Sequence, residues 1–165
     1  MLQLFLFLHV FGAIAVFGPT FIFPLIASRV RKSPQNGHFA SELAETIESK
    51  IVIPGGIVQG ITGIALIGIV SSQGTDLKVF GWPWLPIAIV LYVIAIGYAI
   101  VVQRPAAIRM VQLTGAMSGP PPAGAPAGPP PEIVATGKKL QQGGMLLTVL
   151  LVLIVLLMVV KPTIA

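Results

Sequence analysis

Cysteine is absent from the 165 residues, and charge is scarce, with Asp, Glu, Lys and Arg together making up 9% of the chain. Without cysteine there are no disulfides, no thiolate metal sites and no thiol nucleophile, and nothing in the sequence marks a redox compartment. So little charge cannot cover a water-soluble surface. Runs that alternate with period two are also missing, which sets aside a transmembrane β-barrel. No paired carboxylates, nucleophile–base constellation or phosphate-binding glycine loop stands out, so the common hydrolytic and phosphoryl-transfer classes have no foothold. The net charge of +5 lacks the interleaved aromatics or recognisable module of a nucleic-acid binder, and nucleic acid is not expected as a partner.

What is present is apolar length. Hydrophobic residues make up 55% of the chain and the mean hydropathy is +0.95. About 20 apolar residues at about 1.5 Å each cross about 30 Å of hydrocarbon. Four stretches meet that length: residues 2–27, 51–70, 84–102 and 143–160. The expected fold is all-α: one polytopic membrane domain of four transmembrane helices in a bundle, occupying 1–165. No basic residue precedes the first stretch, and it outruns a secretory signal core, so it reads as a retained helix.

The basic residues give the orientation. Arg29, Arg31, Lys32 and Lys50 fall in the first connection, and Arg104, Arg109, Lys138 and Lys139 in the third, leaving Lys78 and Lys161 for the other side. Short loops rich in Lys and Arg stay in the cytoplasm. Loops 28–50 and 103–142 are therefore expected there, with both termini and the 71–82 loop outside a bacterial inner membrane. Within the first connection, Phe39, Leu43 and Ile47 recur at four-residue steps with Glu42, Glu45 and Glu48 on other faces, a turn or two of amphipathic helix near the interface. His38 reads as a solvated loop residue. The third connection holds SGPPPAGAPAGPPP, a polyproline-like linker over 115–131 that is suited to a spacer or to a partner's surface.

Small residues mark contact faces, because lipid supplies no hydrophobic drive between helices and close backbone approach takes its place. Gly12 and Gly18 in the first helix and Gly56, Gly60 and Gly63 in the second are the expected packing glycines, with Gly68 near the same side. Pro19 and Pro24 should kink the end of the first helix. Pro54 reads as a first-turn proline of the second. The fourth helix, MLLTVLLVLIVLLMVV, is apolar all round and belongs at the bundle edge.

Polar side chains at membrane depth carry the remaining chemistry. With about 1.5 Å per residue, His9 lies about 10 Å below the outer surface, level with Thr62, Tyr92 and Met158. Gln59 and Tyr98 lie deeper. Two readings of His9 stand side by side. In one, its ring bonds a neighbouring helix and holds the bundle together. In the other, it is an axial haem ligand or proton relay, as intramembrane ionisable groups are functional candidates by default. Tyr92 and Met158 are the second-ligand candidates, because the other histidine, His38, lies outside the membrane.

LHVFGAIAVFG in the first helix, IPGGIVQGITGIAL in the second and the closing LLMVVKP resemble a group of small bacterial four-helix membrane proteins of unassigned function. That group is distantly similar to the copper-resistance D family and to the haem-b-dependent membrane protoporphyrinogen oxidases. In the oxidase branch the resemblance implies haem b with His9 as its ligand, together with a lysine in the third helix. LPIAIVLYVIAIGYAIVV contains no lysine. The copper family implies outer-side His or Met ligands, and Met158 is the one Met near that side besides Met1. Two functions follow. One is a non-catalytic accessory subunit of a respiratory or photosynthetic membrane complex, with other membrane subunits as partners. The other is a haem-b membrane redox protein built on His9.

Overall fold

Three prolines organise the helices of the computed structural model, which describes residues 2–72, 84–117 and 128–161. A proline inside a helix has no N–H to donate, and its ring collides with the carbonyl four residues back. For Pro24, Pro54 and Pro105 that carbonyl belongs to Thr20, Lys50 and Val101. Each of these residues sits at the centre of a five-residue segment that leaves α geometry: a 3₁₀ turn at Gly18–Ile22 and π turns at Glu48–Val52 and Ala99–Gln103. In the π turns the next N–H reaches back five residues, from Ile53 to the Glu48 carbonyl and from Arg104 to the Ala99 carbonyl. The chain thus absorbs each proline without opening its backbone to lipid, the usual origin of such bulges.

The α-helical segments are α1 (Leu2–Phe17), α2 (Phe23–Lys32), α3 (Gly37–Ile47), α4 (Ile53–Ser72), α5 (Trp84–Tyr98), α6 (Arg104–Ala116) and α7 (Pro131–Val160). Joined through the proline turns they form four rods, Leu2–Val30, Gly37–Ser72, Trp84–Ala116 and Pro131–Val160, each long and apolar enough to cross a membrane. The protein is an all-α polytopic membrane protein. At about 1.5 Å per residue the 36-residue second rod measures about 54 Å, well beyond about 30 Å of hydrocarbon. The overhang lies at the basic end, where α3, α6 and the first half of α7 continue past the apolar stretches. Pro54 is therefore not a first-turn proline: the helix starts at Gly37, and the π turn, not a helix end, accommodates it.

Packing is pairwise. α1 lies along α4, α5 along α7, α3 against α6 and α6 against α7, while α4 meets α5 over a shorter stretch. At the basic end Arg109 donates two hydrogen bonds to Glu132 across the α6–α7 junction. At the other end Lys161, with φ 45° the one non-glycine residue of positive φ among the described residues, caps α7 by donating to the Leu157 carbonyl. Its ammonium stands 5.9 Å from the Trp84 ring centre, tying α7 to the start of α5. The bundle's outside is apolar: Phe7 and Phe11 stack on the exposed face of α1. On α7 only Gly143 and Leu150 are buried. Residues 73–83 and 118–127, which hold most of the 71–82 loop, Lys78 and most of the proline-rich linker, and Pro162 of the closing motif lie outside the described residues.

α3 packs with a face that the apolar pattern does not mark. Gly37 and Glu48 are buried and Ser41 and Ala44 half-buried, whereas Phe39 is 68% exposed and Leu43 is also exposed. His38, expected in solvent, is on this helix, with Nδ1 3.3 Å from the Thr114 hydroxyl of α6 and Nε2 3.4 Å from the Glu42 carboxylate.

The glycines of α4 differ in what they permit. A Cβ on Gly55 would run into Val16 of α1, whereas one on Gly68 would meet nothing within 4 Å. Gly55→Ala is expected to destabilise by about 1–3 kcal/mol, as overpacking does. Gly68→Ala should be neutral or stabilise by up to about 1 kcal/mol. Thermal unfolding in detergent compares the two directly.

Candidate functional site

His9, Thr62 and Gln59 form one network between α1 and α4. The His9 Nδ1 lies 2.8 Å from the Thr62 hydroxyl oxygen, and the Gln59 side-chain amide donates to the His9 carbonyl at 2.7 Å. Thr62 in turn donates to the Gln59 carbonyl at 3.0 Å. With the Thr62 proton on that carbonyl, the tautomer that completes the network has the His9 Nδ1 donating to Thr62 and the lone pair on Nε2. The approach that makes this possible depends on two glycines. A Cβ on Gly12 would stand 2.9 Å from the Gln59 Oε1, and one on Gly63 would stand 3.3 Å from the His9 Cε1.

Tyr92 stands one helical turn further in. It donates to the Gly56 carbonyl at 2.6 Å and lies over Gly60, where a Cβ would be 2.6 Å from its hydroxyl. The Cβ direction of Gly56 is closed by Ile96 at 3.1 Å. The structure thus brings His9 and Thr62 into contact and ties Tyr92 to α4 beside them, on the backbone of Gly56. Met158 is on α7, which packs along α5 and α6 rather than along α1. Gly18 makes no close contact, since a Cβ there would meet nothing within 4 Å; it begins the 3₁₀ turn before Pro19.

Three groups that carried little weight in the sequence also prove structural. Gln59 is buried, and its side-chain amide reaches the His9 carbonyl. Tyr98 and Gln103 close over Gly143 of α7, where a Cβ would stand 2.9 Å from the Tyr98 hydroxyl and would overlap the Gln103 side chain. Gln103 also donates to the Leu140 carbonyl at 3.3 Å. Glycines facing long polar residues would have signalled these pairs, but their partner helices cannot be read from one sequence.

Glu48 is the fourth. The face of the second rod that passes through Gly56 and Gln59 continues, four residues at a step, through Val52 to Glu48, the first residue of the π turn. Its side chain is 7% exposed, and its Oε1 is buried without a hydrogen-bond partner. Glu48 precedes the apolar stretch 51–70 by three residues. Burial and the neighbouring Glu45 carboxylate push its carboxyl up to about 7, against the opposing pull of Arg104.

Compared with known proteins, the chain matches over residues 3–162 a family model described as a predicted integral membrane protein. No curated protein and no solved structure matches it.

The Gly60–Tyr92 contact is directly testable. Gly60→Ala should displace the Tyr92 ring and cost about 1–3 kcal/mol. Tyr92→Phe should cost about 0.6–2 kcal/mol, the range of intramembrane hydrogen bonds. Because the clash is with the hydroxyl, the double variant is expected to be more stable than the sum of the two losses predicts, a coupling that a double-mutant cycle measures.

Proposed function

From the chain's membership of the DUF2269 family of predicted integral membrane proteins, we propose that it is a non-catalytic accessory subunit of a larger energy-transducing complex in a bacterial inner membrane. One observation carries the reading: among the polar side chains at membrane depth, His9, Gln59, Thr62 and Tyr92 use their hydrogen bonds to join helices. His9 and Gln59 link α1 to α4, Tyr92 links α5 to α4, and Thr148 bonds the Gly144 carbonyl of its own helix. Side chains so engaged stabilise a bundle and leave little to act on a substrate. The apolar outer faces of α1 and α7 suit lipid or the helices of other subunits.

The haem-b reading has one specific observation in its favour. The Thr62 bond orients the His9 ring and leaves the Nε2 lone pair for a ligand, the way a supporting hydrogen bond fixes a metal-binding imidazole. His9 therefore fits one axial position, and haem would supply one-electron chemistry there. The second-ligand candidates do not fit. The Tyr92 hydroxyl is committed to Gly56, and Met158 is on α7, which packs along α5 and α6. The accessory reading stands first for that reason.

Arg29, Lys32, Lys50, Arg104, Arg109, Lys138 and Lys139 belong to the overhanging end of the rods, and Lys161 to the other. By the positive-inside rule we assign the basic end to the cytoplasm.

Two measurements follow. Blue-native electrophoresis after mild detergent extraction should find the chain in a larger assembly, and migration as an isolated chain would overturn the accessory role. A reduced-minus-oxidised spectrum of the purified protein should show no Soret shift, and His9→Ala should cost no more than about 2 kcal/mol. A haem band lost in that variant would favour the second reading instead.

The absence of cysteine makes orientation readable in the same cells. With a membrane-impermeant thiol reagent added outside, Ser72→Cys should label and Gln35→Cys should not. The reverse pattern would invert the topology.

A further inference from the structure

We propose that Glu48 is a proton-binding site, exchanging one proton with water at the basic end of the bundle.

The proline turns place charge at the boundary of the apolar stretches. Glu48 opens the π turn of the second rod and Arg104 closes the π turn of the third, its N–H donating to the Ala99 carbonyl. α3 and α6, which extend from these turns, pack against each other. An acid on the inner face and a base on the neighbouring rod thus occur at the same level, just outside the apolar stretches. They do not form an ion pair: Arg104 is exposed, while Glu48 is buried and its Oε1 has no partner.

A carboxylate in that position would lack the paired charge and the hydrogen bonds that make burial of an ion affordable, whereas the neutral acid needs far less. The remaining charges divide clearly. Glu45, on the same helix, opposes ionisation, and Arg104 favours it. His38 and Glu42, further back on α3, are paired with each other. Arg109 is held by Glu132. Lys50, on the π turn itself, is exposed. α1, which also touches this turn, has His9 as its one titratable side chain, and that ring is bonded to Thr62. Among the described residues no ion pair or hydrogen bond neutralises Glu48, and the proton does.

In chemical terms one O–H bond at the Glu48 carboxyl forms and breaks, with water at the basic end as donor and acceptor. The site rests on the packing around Glu48 and is independent of whether the chain serves as an accessory subunit.

Infrared difference spectra of the full chain in lipid nanodiscs, recorded across a pH titration, test it. A carboxylic-acid carbonyl band should titrate near neutral pH and be missing in Glu48→Gln. Arg104→Gln should move its midpoint up, and Glu45→Gln should move it down, which keeps the test open if Glu48→Gln fails to fold. Titration of every carboxyl in the ordinary acid range, or a neutral-range midpoint unmoved in both neighbour variants, would overturn the proposal.

Discussion

The structure depends on a constraint set by lipid on the backbone. In hydrocarbon a peptide group without a partner costs several kcal/mol, so a spanning helix cannot simply stop where a proline removes a donor. Here the same solution occurs three times: five residues leave α geometry around the carbonyl that the proline ring would strike, and the helix resumes one residue before the proline. The rods stay continuous. Because a π turn changes the angular phase of everything that follows, the two π turns also determine which side chains of α3 and α6 face each other. The positions of Glu48 and Arg104 are thus consequences of Pro54 and Pro105.

Packing within the bundle follows from what lipid does not provide. In water an apolar stripe is driven inward, whereas in a bilayer the exposed apolar faces of α1 and α7 are as well accommodated by lipid as by protein. Contacts instead form where backbones can approach, and seven of the twelve buried residues among those described are small: Gly37, Gly56, Ala88, Ala99, Ala106, Ala107 and Gly143. Close approach in turn brings long polar residues within reach of the backbone of a neighbouring helix. Tyr92 reaches the Gly56 carbonyl over Gly60, and Gln59 reaches the His9 carbonyl beside Gly12. The glycines and the polar bonds are one device. A side chain in place of the first would remove the second.

How much of this was legible in the sequence follows from the same physics. Four spanning helices were legible, because apolar length is a property of each segment alone. The meeting of His9 and Thr62 was legible too, since depth along a helix is arithmetic once the spans are placed. Rotation about the helix axis was not. The π turns shift phase at positions that no periodicity announces, so Pro54 looked like a helix start. In α3 the four-residue apolar steps did not mark the packed side, since Phe39 and Leu43 are exposed and Gly37 and Glu48 are buried. Tyr92 was expected level with His9 and Thr62, whereas its hydroxyl binds the Gly56 carbonyl, one turn further in. Gly18 looked like a contact glycine, yet it serves the turn before Pro19.

His9 and Glu48 then separate two kinds of polar residue that a hydropathy reading treats alike. His9 sits in the apolar span, yet its Nδ1 and its carbonyl both have hydrogen-bond partners on α4. Glu48 sits where water is near, yet its Oε1 is buried and unmatched. Depth alone would rank His9 the more unusual of the two. Hydrogen-bond accounting reverses the order, because the energetic burden of a polar group depends on its unpaired atoms and not on its distance from the membrane surface. In a bundle held together largely by paired polar groups, the unpaired one is where exchange with the surroundings has a physical reason to occur.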